Sequence, residues 1–196
     1  MPIDYNFPPK GRQSGLGWYD RGRLPHFDGG SVPQFFTFRL HDSVPPSLVE
    51  QWKKDRNKVK FRKTIEKFLD AGFGSCFLRD PAVATIVADS LKFHDGNKYD
   101  LKAWVIMPNH LHFLVTPSEG VELATIAHSI KSYTAHEANK VLGRTGRFWQ
   151  VEPFDRYIRN NRHYAAVIRY IENNPVKAGL CATPAQWRFS SAYAAG

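Results

Sequence analysis

Residues 99–115 read YDLKAWVIMPNHLHFLV, two apolar runs with only Pro108 and Asn109 between them. Runs rich in Val, Ile, Leu and aromatic residues, broken by so short a corner, predict an antiparallel hairpin with strands over 99–107 and 110–115. An isolated hairpin is barely stable in water, so the rest of the chain must supply further strands and helices to cover it. One more strand is expected in QFFTFRL (34–40), where Phe36, Phe38 and Leu40 alternate with Thr37 and Arg39. The charged, strongly helix-forming run 46–71 should end at Gly72. Asp80 and Pro81 stand as N-cap and first residue of a helix with Val83, Ile86, Val87 and Leu91 on one face. A long helix over 121–142 closes at Gly143, and a last one carries Tyr164, Val167, Ile168 and Ile171 inward, with Pro175 just past its end. The expected class is α+β, an antiparallel sheet with helices packed on it.

The chain has 196 residues, 42% of them hydrophobic, which suits one domain with a real core. Residues 1–33 read as a basic, irregular N-terminal arm because Gly, Pro and Asp interrupt them so often, and 34–196 as one domain with a C-terminal helical extension. Against 18 Asp and Glu stand 27 Lys and Arg, a formal charge of +9 that favours a polyanionic partner. Cys76 and Cys181 form no short-spaced pair, so neither a disulfide framework nor a zinc knuckle is expected. With no signal-like segment and no run of about 18 apolar residues, the expectation is a soluble, cytoplasmic protein without a membrane partner.

Side chains alternate along a strand, so His110 and His112 project from one face while Leu111 and Phe113 go to the other. The two imidazoles can share one metal ion, or they can be ordinary polar residues on a wet face. On the following helix, Leu123, Ala127, Ile130, Ala138 and Val141 make a stripe expected to face the sheet. Glu137 falls toward that stripe, Tyr133 lies at its border one turn earlier, and His136 points away. Glu137 and Tyr133 would then stand beside a cation held by the histidines. Alternatively, Glu137 pairs with a basic residue at the rim and Tyr133 is a boundary aromatic.

The segments MPNHLHFLV, SIKSYTAHEAN, YIENNPVKAGL and WRFSSAY together resemble the single-tyrosine HUH transposases, and within them the REP-associated tyrosine transposases. The resemblance spans residues 24–193 and implies a ferredoxin-like α+β core of the HUH endonuclease type. It further implies single-stranded DNA with a REP-like hairpin as partner, His110 and His112 as metal ligands, and Tyr133 as nucleophile. Relatives often carry Gln or Asn where this chain has Glu137, which leaves the third ligand open between Glu137 and His136. Imidazole and carboxylate donors with substrate oxygens suit Mg²⁺ or Mn²⁺. Positive charge from the metal and Lys131 would favour the phenolate, whose ordinary pKa is near 10. Attack would leave a 5′-phosphotyrosine and a free 3′-hydroxyl, and the conserved ester energy would allow rejoining without a nucleotide cofactor.

For binding the strand, the stretches GRTGRFWQ and DRYIRNNRHY offer Arg144, Arg147, Arg156, Arg159 and Arg162 with Phe148, Trp149 and Tyr157 interleaved, and the arm adds Arg21 and Arg23. The competing reading makes the aromatics core and the arginines a solvated face. Two other functions remain: a regulator that binds structured single strands without cutting them, and a structural-zinc binder, which the lack of nearby Cys ligands disfavours. Oligomeric state is open, with a monomer favoured.

Overall fold

A computed structural model describes residues 17–20, 25–54 and 58–194. In chain order the elements are β1 (Gly17–Asp20), β2 (Pro25–Asp28), β3 (Gln34–Arg39), α1 (Pro46–Lys54), α2 (Lys58–Asp70), α3 (Pro81–Phe93), β4 (Tyr99–Ile106), β5 (His110–Pro117), α4 (Leu123–Val141), β6 (Phe154–Tyr157), α5 (Asn161–Glu172) and the short α6 (Asn174–Lys177). Local chemistry accounts for several boundaries. The Asp80 carboxylate accepts from the Ala82 amide at the start of α3, with Pro81 in its first turn. Asn160 does the same for the His163 amide at the start of α5. Gly143, at φ +59, ends α4.

β4 and β5 form the expected hairpin, and β3 pairs antiparallel with the other side of β5, so the sheet order is β4-β5-β3-β6 with β5 inside. Both faces are covered. On one, Phe36, Phe38, Leu111, Phe113 and Val115 pack with Val83, Val87 and Leu91 of α3 and Leu123, Ile126 and Ile130 of α4. On the other, Phe35, Val105 and Leu114 pack with Ile171 and the half-buried Val167, Ile168 and Tyr170 of α5. This is the α+β sheet with packed helices expected from the sequence. Among the described residues no helix is long and apolar enough to cross a membrane.

Three features differ in detail from the sequence reading. The run 46–71 contains two described helices, α1 and α2, with 55–57 outside the described residues. Within the arm, β1 and β2 pair as an antiparallel ribbon, so that part is regular structure. β6 was not anticipated at all. Its sequence FDRY has no apolar run, and it is a strand because β3 offers an open edge from Gln34 to Thr37. The ribbon is tied to the domain by the buried Asp28, whose carboxylate accepts from the backbone amides of Gly30 and of Leu123, the first residue of α4.

Candidate active site

His110 and His112 lie on the same face of β5, buried, with ring centroids 4.6 Å apart. Each ring is held by its Nδ1. Asn109 Oδ1 lies 2.8 Å from Nδ1 of His110, and Asn109 is itself oriented by its Nδ2 donating to the Phe73 carbonyl at 2.9 Å. That polarity makes His110 Nδ1–H the donor, which leaves the lone pair on Nε2. The Thr37 hydroxyl lies 2.8 Å from Nδ1 of His112, across the β3–β5 ladder. The His112 ring also stacks on Phe35 at 5.3 Å. Burial, opposed by Asn174 and reinforced by Lys177, pushes the His110 pKa down to about 3. Burial, then His110 and Lys177, holds His112 well below its ordinary range. Both imidazoles are therefore neutral near pH 7, the state in which Nε2 can ligate a cation.

The element covering this face is α5, not α4. The Tyr170 hydroxyl comes within 3.4 Å of His112 Nε2, and burial raises its pKa. Asn174 is buried beside His110, and Arg39, opposite His110 on β3, is buried enough to lower its pKa to about 10. Lys177 pairs with Asp70 of α2 at 2.7 Å. The expectation that the stripe of α4 faces the histidines is thus corrected. The stripe does face the sheet, but it meets Leu111 and Phe113, whose side chains leave the strand on the other side. An alternating strand fixes which residues share a face; it does not say which helix covers that face when both are buried.

Tyr133 is accordingly on α4, with its ring 56% exposed. Glu137 leans inward and His136 outward, as the helix phase required, with side chains 29% and 74% exposed. Glu137 is engaged by Lys140 at 3.3 Å and His136 at 3.6 Å. Among the described residues no three His, Cys, Asp or Glu side chains converge as a metal-binding group. Lys131 donates to the carbonyls of Gln150 and Val151, and burial first, then Arg147 and Arg39, lowers its pKa to about 8. It fastens the segment before β6 to α4.

Of the arginines, Arg144 donates to Asn139 Oδ1 at 2.7 Å and to the Arg147 carbonyl, and lies over the Phe77 ring, so it closes the end of α4. Arg147, Arg159 and Arg162 are exposed and Arg156 is half-buried. Arg156 and Arg159 both depress the pKa of His163, after burial, which puts a basic cluster at the start of α5. Arg21 and Arg23 lie outside the described residues. Phe148 and Trp149 are core, Trp149 donating its Nε1–H to Thr134 of α4 at 2.9 Å. Sequence reasoning missed Thr37, Asn109, Tyr170 and Asn174. For Asn109 the signal was a polar residue in the corner beside a histidine, legible as a turn residue and not as a support.

The family model described as "Transposase IS200 like" matches residues 83–174, which include β5, α4 and α5. More particularly, the chain is 28% identical over 102 residues to a REP-associated tyrosine transposase of Escherichia coli (strain K12). That alignment covers 52% of this chain and 59% of the relative, so it spans less than two thirds of that protein. In fold the chain is similar to a solved REP-associated tyrosine transposase bound to a REP hairpin, with TM-score 0.54 and 21% identity over 90% of this chain and 82% of that one.

Proposed function

We propose that the protein is a transposase that cuts and rejoins single-stranded DNA carrying a REP-like hairpin, with residues 34–196 as its catalytic unit. The observation that carries this reading is the pair of neutral imidazoles on one strand face, each anchored through Nδ1, with ring centroids 4.6 Å apart. His110 and His112 would hold Mg²⁺ or Mn²⁺, which, when bound, neutralises charge on a phosphate and polarises it. The chain's own residues do the rest. The basic cluster of Arg156, Arg159 and Arg162 grips the phosphates of the strand, and Asn109 and Thr37 keep both rings from rotating. Tyr133 attacks phosphorus, forming the tyrosyl oxygen–phosphorus bond as the bond to the 3′-oxygen breaks and the phenolic proton is passed on to that oxygen. The reverse attack by a 3′-hydroxyl rejoins the strand.

Nucleophile and phosphorus must come within about 3–3.5 Å. With α4 on the face opposite the histidines, that encounter requires α4 to shift on the sheet or the α4 of a second copy to supply Tyr133. The same separation favours one alternative, a hairpin-binding regulator that performs no chemistry. Incubation with labelled hairpin DNA and Mn²⁺ separates the two. The proposed function expects a denaturation-resistant protein–DNA adduct, lost in Tyr133→Phe with hairpin affinity kept. Cutting by the Phe variant at the wild-type rate refutes tyrosine catalysis here, and binding without any cutting by the wild type supports the regulator.

A further inference from the structure

We infer that the carboxamide of Asn174, the first residue of α6, is the third protein ligand of the cation held by His110 and His112. This rests on the metal-dependent reading above and assigns the position that neither Glu137 nor His136 fills. Asn174 is 1% exposed, yet neither Oδ1 nor Nδ2 makes a hydrogen bond of good geometry with any described residue, and the same holds for His110 Nε2. Three such atoms share one spot, since the carboxamide is close enough to act on both the His110 ring and the Tyr170 hydroxyl. Buried polar atoms are nearly always paired, and a cluster of unpaired ones marks a place shaped for something else to bind.

The local sequence explains why this side chain is available. Asn at a helix start ordinarily turns back to accept from a backbone amide of the first turn. The cap position of α6 belongs to Asn173, so Asn174, the first residue of the helix, is not needed to cap it, and Pro175 behind it has no amide to offer. The side chain is turned into the fold instead, one helical turn beyond Tyr170, whose hydroxyl meets His112. Two imidazole nitrogens and one amide oxygen leave positions for the substrate's own oxygens, a donor set that Mg²⁺ and Mn²⁺ accept. Glu137, by contrast, pairs with Lys140 and lies beside His136 on the far face.

The test is a titration of the full chain with Mn²⁺, and separately with Zn²⁺, followed by electron paramagnetic resonance and calorimetry. Asn174→Ala should weaken Mn²⁺ binding about tenfold or more, and Zn²⁺ binding less, because imidazole nitrogens satisfy zinc better than manganese. Asn174→Asp should tighten Mn²⁺ binding, and Glu137→Gln should leave it unchanged. Equal losses for the two ions in Asn174→Ala would make the residue only a support for His110 and overturn the assignment. So would unchanged Mn²⁺ affinity in that variant while His110→Ala loses binding, an outcome that leaves the metal reading standing. If the Ala variant does not fold, failure of Asn174→Asp to tighten binding overturns the inference alone. A wild-type protein that binds no Mn²⁺ removes the metal reading and this inference with it.

Discussion

Protonating the enclosed histidines should unfold the protein as the pH falls, and the size of the effect follows from their burial. Above pH 6.5, the ordinary value for histidine, both rings are neutral whether the chain is folded or not, and they contribute no pH dependence. Below it the unfolded chain takes up protons that the folded one refuses until the His110 pKa of about 3 is reached. Stability is therefore full above pH 6.5 and lost progressively toward pH 3, at up to about 1.4 kcal/mol per pH unit for each ring. Between pH 7 and 5 the loss is roughly 2 kcal/mol for His110, and His112, held well below its ordinary range by burial, adds to it in the same direction. Even the share of His110 alone is a large part of the roughly 5–15 kcal/mol typical of a domain. Urea unfolding of the metal-free protein at pH 7, 6 and 5 reads it, compared with a His110→Gln, His112→Gln double variant. Carboxylates and the other histidines affect both proteins alike and cancel in the difference. Equal slopes for the two proteins would refute the enclosed, neutral state of the pair, and with it the unprotonated Nε2 that ligation needs.

Two further outcomes are expected. Gly74→Ala should destabilise the fold well beyond the roughly 1–2 kcal/mol of left-handed strain alone, because at φ +93 its Cβ would lie 2.6 Å from the Asp42 carbonyl oxygen. Gly96→Ala, at φ +76 with nothing within 4 Å, is the control that shows the strain by itself in a thermal melt. Hairpin DNA binding should weaken steeply with salt, and replacing Arg159 and Arg162 together by Ala should make the logarithmic slope shallower by about 1.4, at roughly 0.7 per phosphate contact; an unchanged slope assigns both to a solvated face.

What could be read from the chain was whatever its periodicity encodes locally. The hairpin of β4 and β5, the Asp80 cap with Pro81, and the inward side of α5 all follow from spacing and turn chemistry, and so does the common face of His110 and His112. The assignment of helices to faces did not follow. Leu111 and Phe113 on one side and Leu114 on the other are equally apolar, so α4 and α5 could have exchanged sides without changing any local pattern. β6 depends on an edge that β3 presents from far away in sequence. Asn109, Thr37 and Asn174 are single polar residues whose meaning lies in what they touch across the fold, and no window of sequence around them contains those partners.

The carboxylate of Asp28 gives the N-terminal ribbon a hold on the tyrosine helix. α4 has no side-chain cap of its own at Glu122, and the Leu123 amide is satisfied from β2 instead. A displaced N-cap costs a helix about 1 kcal/mol, and withdrawing the negative charge also weakens the favourable interaction with its dipole. The first turn so loosened lies about three turns before Tyr133. Pulling Asp28 away would thus fray the start of α4, whereas pressing the ribbon home would stiffen it. Order in the ribbon and order at the start of the helix that carries Tyr133 thus form a single linked equilibrium, in which a change at one is felt at the other.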